Sequence, residues 1–261
     1  MQTFAYQTAT SVAAASAAMN GDAKLIAGGQ SLLPSMRLGL AAPDALIDLA
    51  GIAELKTITV SGGSVKIGAM ATHAAVAADA AVQKAIPALA ALADNIGDRQ
   101  VRNRGTIGGS LANNDPAACY TAAVLGLGAT VHTNKRELQA EDFFQGLYMT
   151  ALEDDEIITA VSFPVPQAAG WQKFKQPASR FSLVGVFVSK GPAGVRVAVT
   201  GAGSGGVFRV KAIEDALSAN WTAAAAQAVK VPAEGLNTDL HGSAEYRAAL
   251  IPVLAGRAVG G

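Results

Sequence analysis

One cysteine, Cys119, stands among the 261 residues of the sequence. A single thiol excludes an intrachain disulfide, any metal cage built from cysteines alone and any cysteine-held iron–sulfur centre. Thiol scarcity fits a reducing compartment. Histidine is almost as scarce, and His73, His132 and His241 are too scattered to suggest a metal site. There is no excess of either charge: Lys plus Arg and Asp plus Glu both count 20. That balance argues against a nucleic-acid footprint or a surface that seeks anionic lipid. A long apolar run is also missing. The most apolar stretch, about 117–131, is rich in Ala, Gly and Thr and is too short to cross a bilayer. The first residues, MQTFAYQTAT, hold no basic segment ahead of an apolar block, so no secretory signal is expected. With 51% hydrophobic and 15% charged residues, the chain can fill a sizeable core. A soluble cytoplasmic protein of one large domain or two ordinary ones is the expectation.

The first ~55 residues alternate helix and strand signals. An alanine-rich helix follows Ser11 as N-cap, Lys24–Ala27 reads as a strand, Ser35–Leu40 as a loop or short turn after Pro34, and Ala45–Leu49 as a second buried strand. From Thr57 the pattern changes to a hairpin around Gly62-Gly63. A helix begins at Thr72, and a second over Val82–Ile96 carries Pro87, which breaks or kinks it. A basic stretch, Arg99–Arg104, leads into a glycine segment; a helix over Ala117–Leu125 and strands over Ala129–Thr133 and Glu156–Phe163 follow. Pro164–Gly170 reads as a boundary. Beyond it, Trp171–Lys175, Leu183–Lys190 and Val195–Thr200 predict an antiparallel sheet. Helices are expected over Val210–Leu217, Trp221–Val229 and Ala244–Ala258, with Pro252 a liability in the last. The domains are expected at 1–168, with subdomains of about 1–55 and 56–168, and at 169–261.

Two segments share one form. Ala27-Gly28-Gly29-Gln30-Ser31 and Thr106-Ile107-Gly108-Gly109-Ser110 each place adjacent glycines beside a hydroxyl. Glycine lets a backbone approach a ligand closely, and successive amides in such a turn form a concavity for an anion. Either alone reads as readily as a tight turn. Together, with Ser31, Thr106 and Ser110 beside the amides, they supply the donors that a pyrophosphate needs. A side chain at Gly108 is expected to block that phosphate.

AGGQSLLPSMRLGL at 27–40, IGAMATH at 67–73 and RNRGTIGGSLANNDPAA at 102–118 resemble the FAD-binding medium subunit of the molybdenum hydroxylases, the family of aerobic carbon monoxide dehydrogenase and bacterial xanthine and aldehyde dehydrogenases. The resemblance covers nearly the whole chain. It implies an α+β fold, a two-subdomain FAD-binding domain of the vanillyl-alcohol-oxidase-like (PCMH) type followed by a small domain of antiparallel sheet plus helices. It implies FAD in this chain, wrapped at its pyrophosphate by Ala27–Ser31 and Thr106–Ser110, with Ile96 and Ile158 near the flavin and Lys175 as a basic residue beside it. It also implies an iron–sulfur small subunit carrying [2Fe–2S] clusters and a large subunit carrying the molybdenum cofactor, arranged as a dimer of heterotrimers. Electrons would pass from those clusters through the flavin to an external acceptor. The family commonly has an acid after the Pro of its Asp-Pro segment that reaches the cofactor's ribose. Here Cys119 stands there, and a thiol is no substitute for a carboxylate acceptor, so Asp115 or Asn114 takes that role or adenosine-side affinity falls.

Other features admit plainer accounts. Cys119 just inside a helix reads as a small buried residue rather than a nucleophile. His73 sits near the flavin or is a solvated histidine at a helix start. Arg99, Arg102 and Arg104 either steer phosphates or form a basic rim. Gly201–Gly206 fits G-x-G-x-x-G after a strand and before a helical pattern, yet no strand ending in an acid follows ~20 residues on. A stand-alone FAD oxidase is the alternative enzyme, which requires a positioned base over the flavin; a non-enzymatic dinucleotide-binding module using 201–206 is the third.

Overall fold

The computed structural model describes residues 3–260. Its first sheet is parallel, with Ala45–Asp48 between Ala5–Thr8 and Ala23–Ile26. The helix Val12–Ala17 starts at Ser11, whose hydroxyl accepts from the Ala14 amide. The expected loop or turn at Ser35–Leu40 is different: Leu32–Arg37 is a helix. Pro34 is no breaker there, because in the first turn its missing N–H has no helical acceptor to lose.

The second sheet is antiparallel, in the order Ile58–Ser61, Ser64–Gly68, Ile158–Pro164, Thr130–Thr133, Glu137–Gln139. Its hairpin turns at Gly62 and Gly63, both at positive φ (57° and 75°), as a two-residue turn requires. The Val82–Ile96 signal resolves into Ala80–Ala85 and Pro87–Asp94, with the proline opening the second helix. The basic stretch Arg99–Arg104 is itself a helix, capped by the Asp98 carboxylate, and the second glycine segment opens another, Ile107–Asn113, capped by Thr106.

The third sheet runs Ala168–Lys175, Ser182–Gly191, Gly194–Thr200, Phe208–Arg209, all antiparallel. Its period-2 alternation sorts two cores. Val184, Val186, Val188, Val197 and Val199 face the helices Lys211–Ala219, Ala223–Gln227 and Ala244–Gly260. Trp171, Phe187 and Ala198 face the other way and join the core of the second sheet. Between these layers lies the helix Cys119–Leu127, buried at all nine positions, as expected of a helix that is apolar all round. The last helix is continuous through the buried Pro252. Arg247 anchors it, its Nη1 donating to the Leu183 and Gly201 carbonyls and its Nη2 to both carboxylate oxygens of Asp239.

The Gly201–Gly206 run joins two paired antiparallel strands, Gly194–Thr200 and Phe208–Arg209, rather than a strand and a helix. This topology removes the dinucleotide-fingerprint reading, which needs a helix N-terminus at the end of the turn. No helix among the described residues is long and apolar enough to cross a membrane.

Candidate functional site

The two glycine segments meet. A Cβ on Gly28 would lie 2.2 Å from the Arg104 carbonyl oxygen and 2.7 Å from the Gly105 Cα, so only glycine permits this approach. Around the junction opens a cleft of about 620 Å³, walled by both segments and by Ile96, Asp115, Cys119 and Ile158. That size suits a small-molecule or cofactor site. Of the proposed contacts, Ile107 and Lys175 lie away from the walls. Ile107 is fully buried in the core, and Lys175 is exposed. Lys173 lines the cleft instead. A bulge between Phe174 and Lys175 breaks the register that would have kept the two lysines equivalent.

The two segments differ in their amides. Among the described residues, the backbone N–H groups of 27–32 have no hydrogen-bond partner. Gly29 holds φ +71°, the left-handed conformation that turns the chain there. The amides of the second segment are engaged within the fold. Ile107 donates to Ala71 O (3.1 Å), Gly108 to Ala69 O (2.8 Å) and Ser110 to Thr106 O (3.0 Å). Gly109 donates to Thr106 Oγ1 at 3.1 Å. Gly108 is glycine because a Cβ would lie 2.6 Å from the Ala69 Cβ and 2.8 Å from its carbonyl oxygen. A side chain at Gly108 would thus obstruct the packing of this helix on the segment after Gly68, apart from any effect on a phosphate.

The remaining polar groups divide into free and engaged. Lys173 Nζ donates to Asn95 O (2.9 Å) and to Cys119 Sγ (3.3 Å), leaving the third of its three donors free. Cys119 is buried, with Ser182 Oγ also at 3.4 Å. Asp115 accepts from the Ala117 amide on one oxygen and from the Tyr148 hydroxyl on the other. Asn114 is turned inward at φ 41°, its Nδ2 donating to Gly146 O and Met149 O, and it lies off the cleft wall. Arg102 is engaged by the Ile96 and Gly97 carbonyls and by Asp94, whereas Arg99 and Arg104 are exposed.

Glu156 and His73, both buried, border the cleft. Glu156 is gripped bidentately by Arg136 (2.9 and 2.8 Å) and bonded by Thr133 and the Glu153 amide. The Arg136 guanidinium is the chief reason its carboxyl titrates at about 2. His73 opens the helix His73–Ala78 after its Thr72 cap, as expected, but it is only 5% exposed rather than solvated. Burial lowers its pKa to about 4, and Arg102 adds to the shift. Sequence reasoning missed this burial because the covering residues, Gly105 and Tyr120, come from other parts of the chain.

A cleft that closes two glycine-rich segments around unpartnered backbone amides, with carboxylates already engaged, defines a binding site for an anionic dinucleotide rather than an acid–base centre. The chain belongs to the family described as the FAD binding domain in molybdopterin dehydrogenase, whose model matches residues 2–166. It is 39% identical over 252 residues to the nicotine 6-hydroxylase medium subunit of Paenarthrobacter nicotinovorans, covering 91% of this chain and 89% of that one. It is 35% identical to the carbon monoxide dehydrogenase medium chain of Hydrogenophaga pseudoflava, covering 92% and 89%. Among solved structures, quinoline 2-oxidoreductase from Pseudomonas putida 86 superposes with a TM-score of 0.88 at 30% identity, covering 98% of this chain and 95% of that chain. The protein is therefore an FAD-binding oxidoreductase subunit of the molybdenum hydroxylase type, α+β in fold, and its relatives are medium chains of multisubunit complexes.

Proposed function

We propose that FAD lies in this cleft with its pyrophosphate on the amides of 27–32, and that the chain passes electrons from iron–sulfur centres of a small subunit, fed by a molybdenum centre in a large subunit, to an external acceptor. The observation that carries this reading is the set of unpartnered amides at 27–32, facing a cleft that the second segment closes. FAD supplies the redox chemistry, and this chain's residues bind and orient it and tune its potential. Ser31 and Ser110 offer hydroxyls at the same junction, and Thr106 fixes the turn that brings Ser110 there. Gln30 braces the first segment by donating to Gly28 O at 3.1 Å. Ile96 and Ile158 give apolar wall to the ring, and Lys173 places a cation beside it.

The flavin-binding unit spans 1–168, with 169–261 as the C-terminal domain, and the assembly is a dimer of heterotrimers in the cytoplasm. The span matched by the family model, 2–166, and the start of the third sheet at Ala168 support the division. The stand-alone oxidase lacks support, because both carboxylates on the cleft wall are engaged by protein donors and burial makes the His73 imidazole a weak base. The test is expression of the full chain with and without its neighbouring partner chains. A yellow, FAD-containing chain that oxidises no substrate alone, and that copurifies with iron and molybdenum, supports the proposal. A colourless chain that takes up no FAD, or one that turns over substrate unaided, contradicts it.

A further inference from the structure

His73 carries an arrangement that the binding of a pyrophosphate leaves unexplained. Its backbone is fixed by the second glycine segment: the His73 amide donates to Gly105 O at 2.9 Å, and Thr72 bridges Thr106. Its imidazole belongs to the cleft wall, yet neither ring nitrogen has a hydrogen-bond partner among the described residues. The two nitrogens differ. Nδ1 is wholly buried. Nε2 lies on the edge facing Gly105, where a Cβ would stand 2.5 Å from it, and Gly105 lines the cleft. Behind the imidazole, at a ring-centroid distance of 5.4 Å, is Tyr120, which is fully buried and whose hydroxyl also lacks a partner.

A neutral imidazole has one donor and one acceptor nitrogen. A buried N–H without an acceptor is costly, so the proton belongs on the cleft-facing nitrogen. The buried lone pair makes no direct bond to the Tyr120 hydroxyl, which among the described residues also lacks a partner, so one buried water between them would satisfy both. We infer that His73 is a cofactor-positioning residue, its Nε2–H donating to an oxygen of bound FAD while Tyr120 on the buried side holds the tautomer. Gly105 fits this role, since any side chain there would cover Nε2. The inference rests on FAD occupying the cleft and adds a contact from outside both glycine segments.

The test uses the full chain with 15N-labelled histidine, titrated with FAD. His73 should show the Nε2–H tautomer throughout, its Nε2 signals should move on FAD addition, and Tyr120→Phe should admit the other tautomer. His73→Leu should raise the FAD dissociation constant about tenfold, the loss of one good hydrogen bond, while His73→Gln, which keeps an N–H near that position, should stay within about threefold. An Nδ1–H tautomer, unmoved His73 signals on FAD binding, or a His73→Leu chain that binds FAD as the wild type does would each overturn the inference. Should His73→Leu not fold, the wild-type spectra decide. A wild-type chain that binds no FAD overturns the flavin assignment and this inference together; FAD binding with unmoved His73 signals overturns this inference alone.

Discussion

The Lys173 ammonium lies 3.3 Å from the Cys119 sulfur, on the wall of the cleft. With the Asn95 carbonyl at 2.9 Å it is held by two groups and keeps one donor for a third.

Lys173→Met should therefore weaken FAD binding about tenfold, as the loss of a charge-assisted hydrogen bond does. It should also lower the midpoint potential of the bound flavin, since a nearby cation favours the reduced, more negative form. Lys175→Met should change neither. Flavin titration and potentiometry on the two variants check this; an effect confined to Lys175→Met would restore the sequence-based assignment.

Gly108→Ala should destabilise the chain whether or not FAD is present, because its Cβ would meet the Ala69 backbone. Overpacking of this kind costs about 1–3 kcal/mol. Denaturant unfolding of the apo chain measures it. Unchanged apo stability with lost FAD binding would instead place the phosphate at Gly108.

Acid stability should fall in two separable windows. Glu156 titrates at about 2 when folded, below its usual 4.5, so its contribution is fully present above pH 4.5 and is lost as pH falls toward 2. That contribution is at most roughly 3 kcal/mol, and Glu156→Gln should flatten stability across that window. His73 titrates at about 4 when folded, below its usual 6.5. Below pH 6.5 the unfolded chain takes up a proton that the folded chain refuses, so stability declines from pH 6.5 to 4. His73→Gln should remove this slope and leave the lower one. Urea unfolding at stepped pH separates the two.

Arg247→Met should loosen the last helix. Arg247 is 1% exposed, and its loss would leave the Leu183 and Gly201 carbonyls and the Asp239 carboxylate without their donor. Leaving each of the two buried carbonyls without its donor costs about 1–3 kcal/mol, while the half-exposed Asp239 adds little. Thermal unfolding of the variant should show the drop.

Legibility in the sequence followed the range of the interactions. The 58–68 hairpin and the third sheet were readable because alternation and turn glycines are local signals. Pro87 was readable as a break for the same reason. The helix Leu32–Arg37 was hidden by Pro34, and the helix opening at Ile107 by glycines that resemble a loop but serve a close contact with Ala69. The site as a whole was visible in its paired glycine segments. Which segment keeps free amides was not, because the acceptors Ala69 and Ala71 lie far away in sequence. Lys173 was missed because the resemblance pointed to Lys175, and His73 because Tyr120 and Gly105 bury it from a distance.

The central claim is that the two glycine segments divide their work: the first gives its amides to the cofactor, and the second gives its amides to the fold. Hydrogen–deuterium exchange of the full chain with and without FAD tests it most directly. The account predicts that amides of 27–32 exchange fast in the apo chain and become protected by FAD, while those of 107–110 are protected beforehand and change little. Fast exchange at 107–110 in the apo chain, with FAD-dependent protection there and none at 27–32, would contradict it.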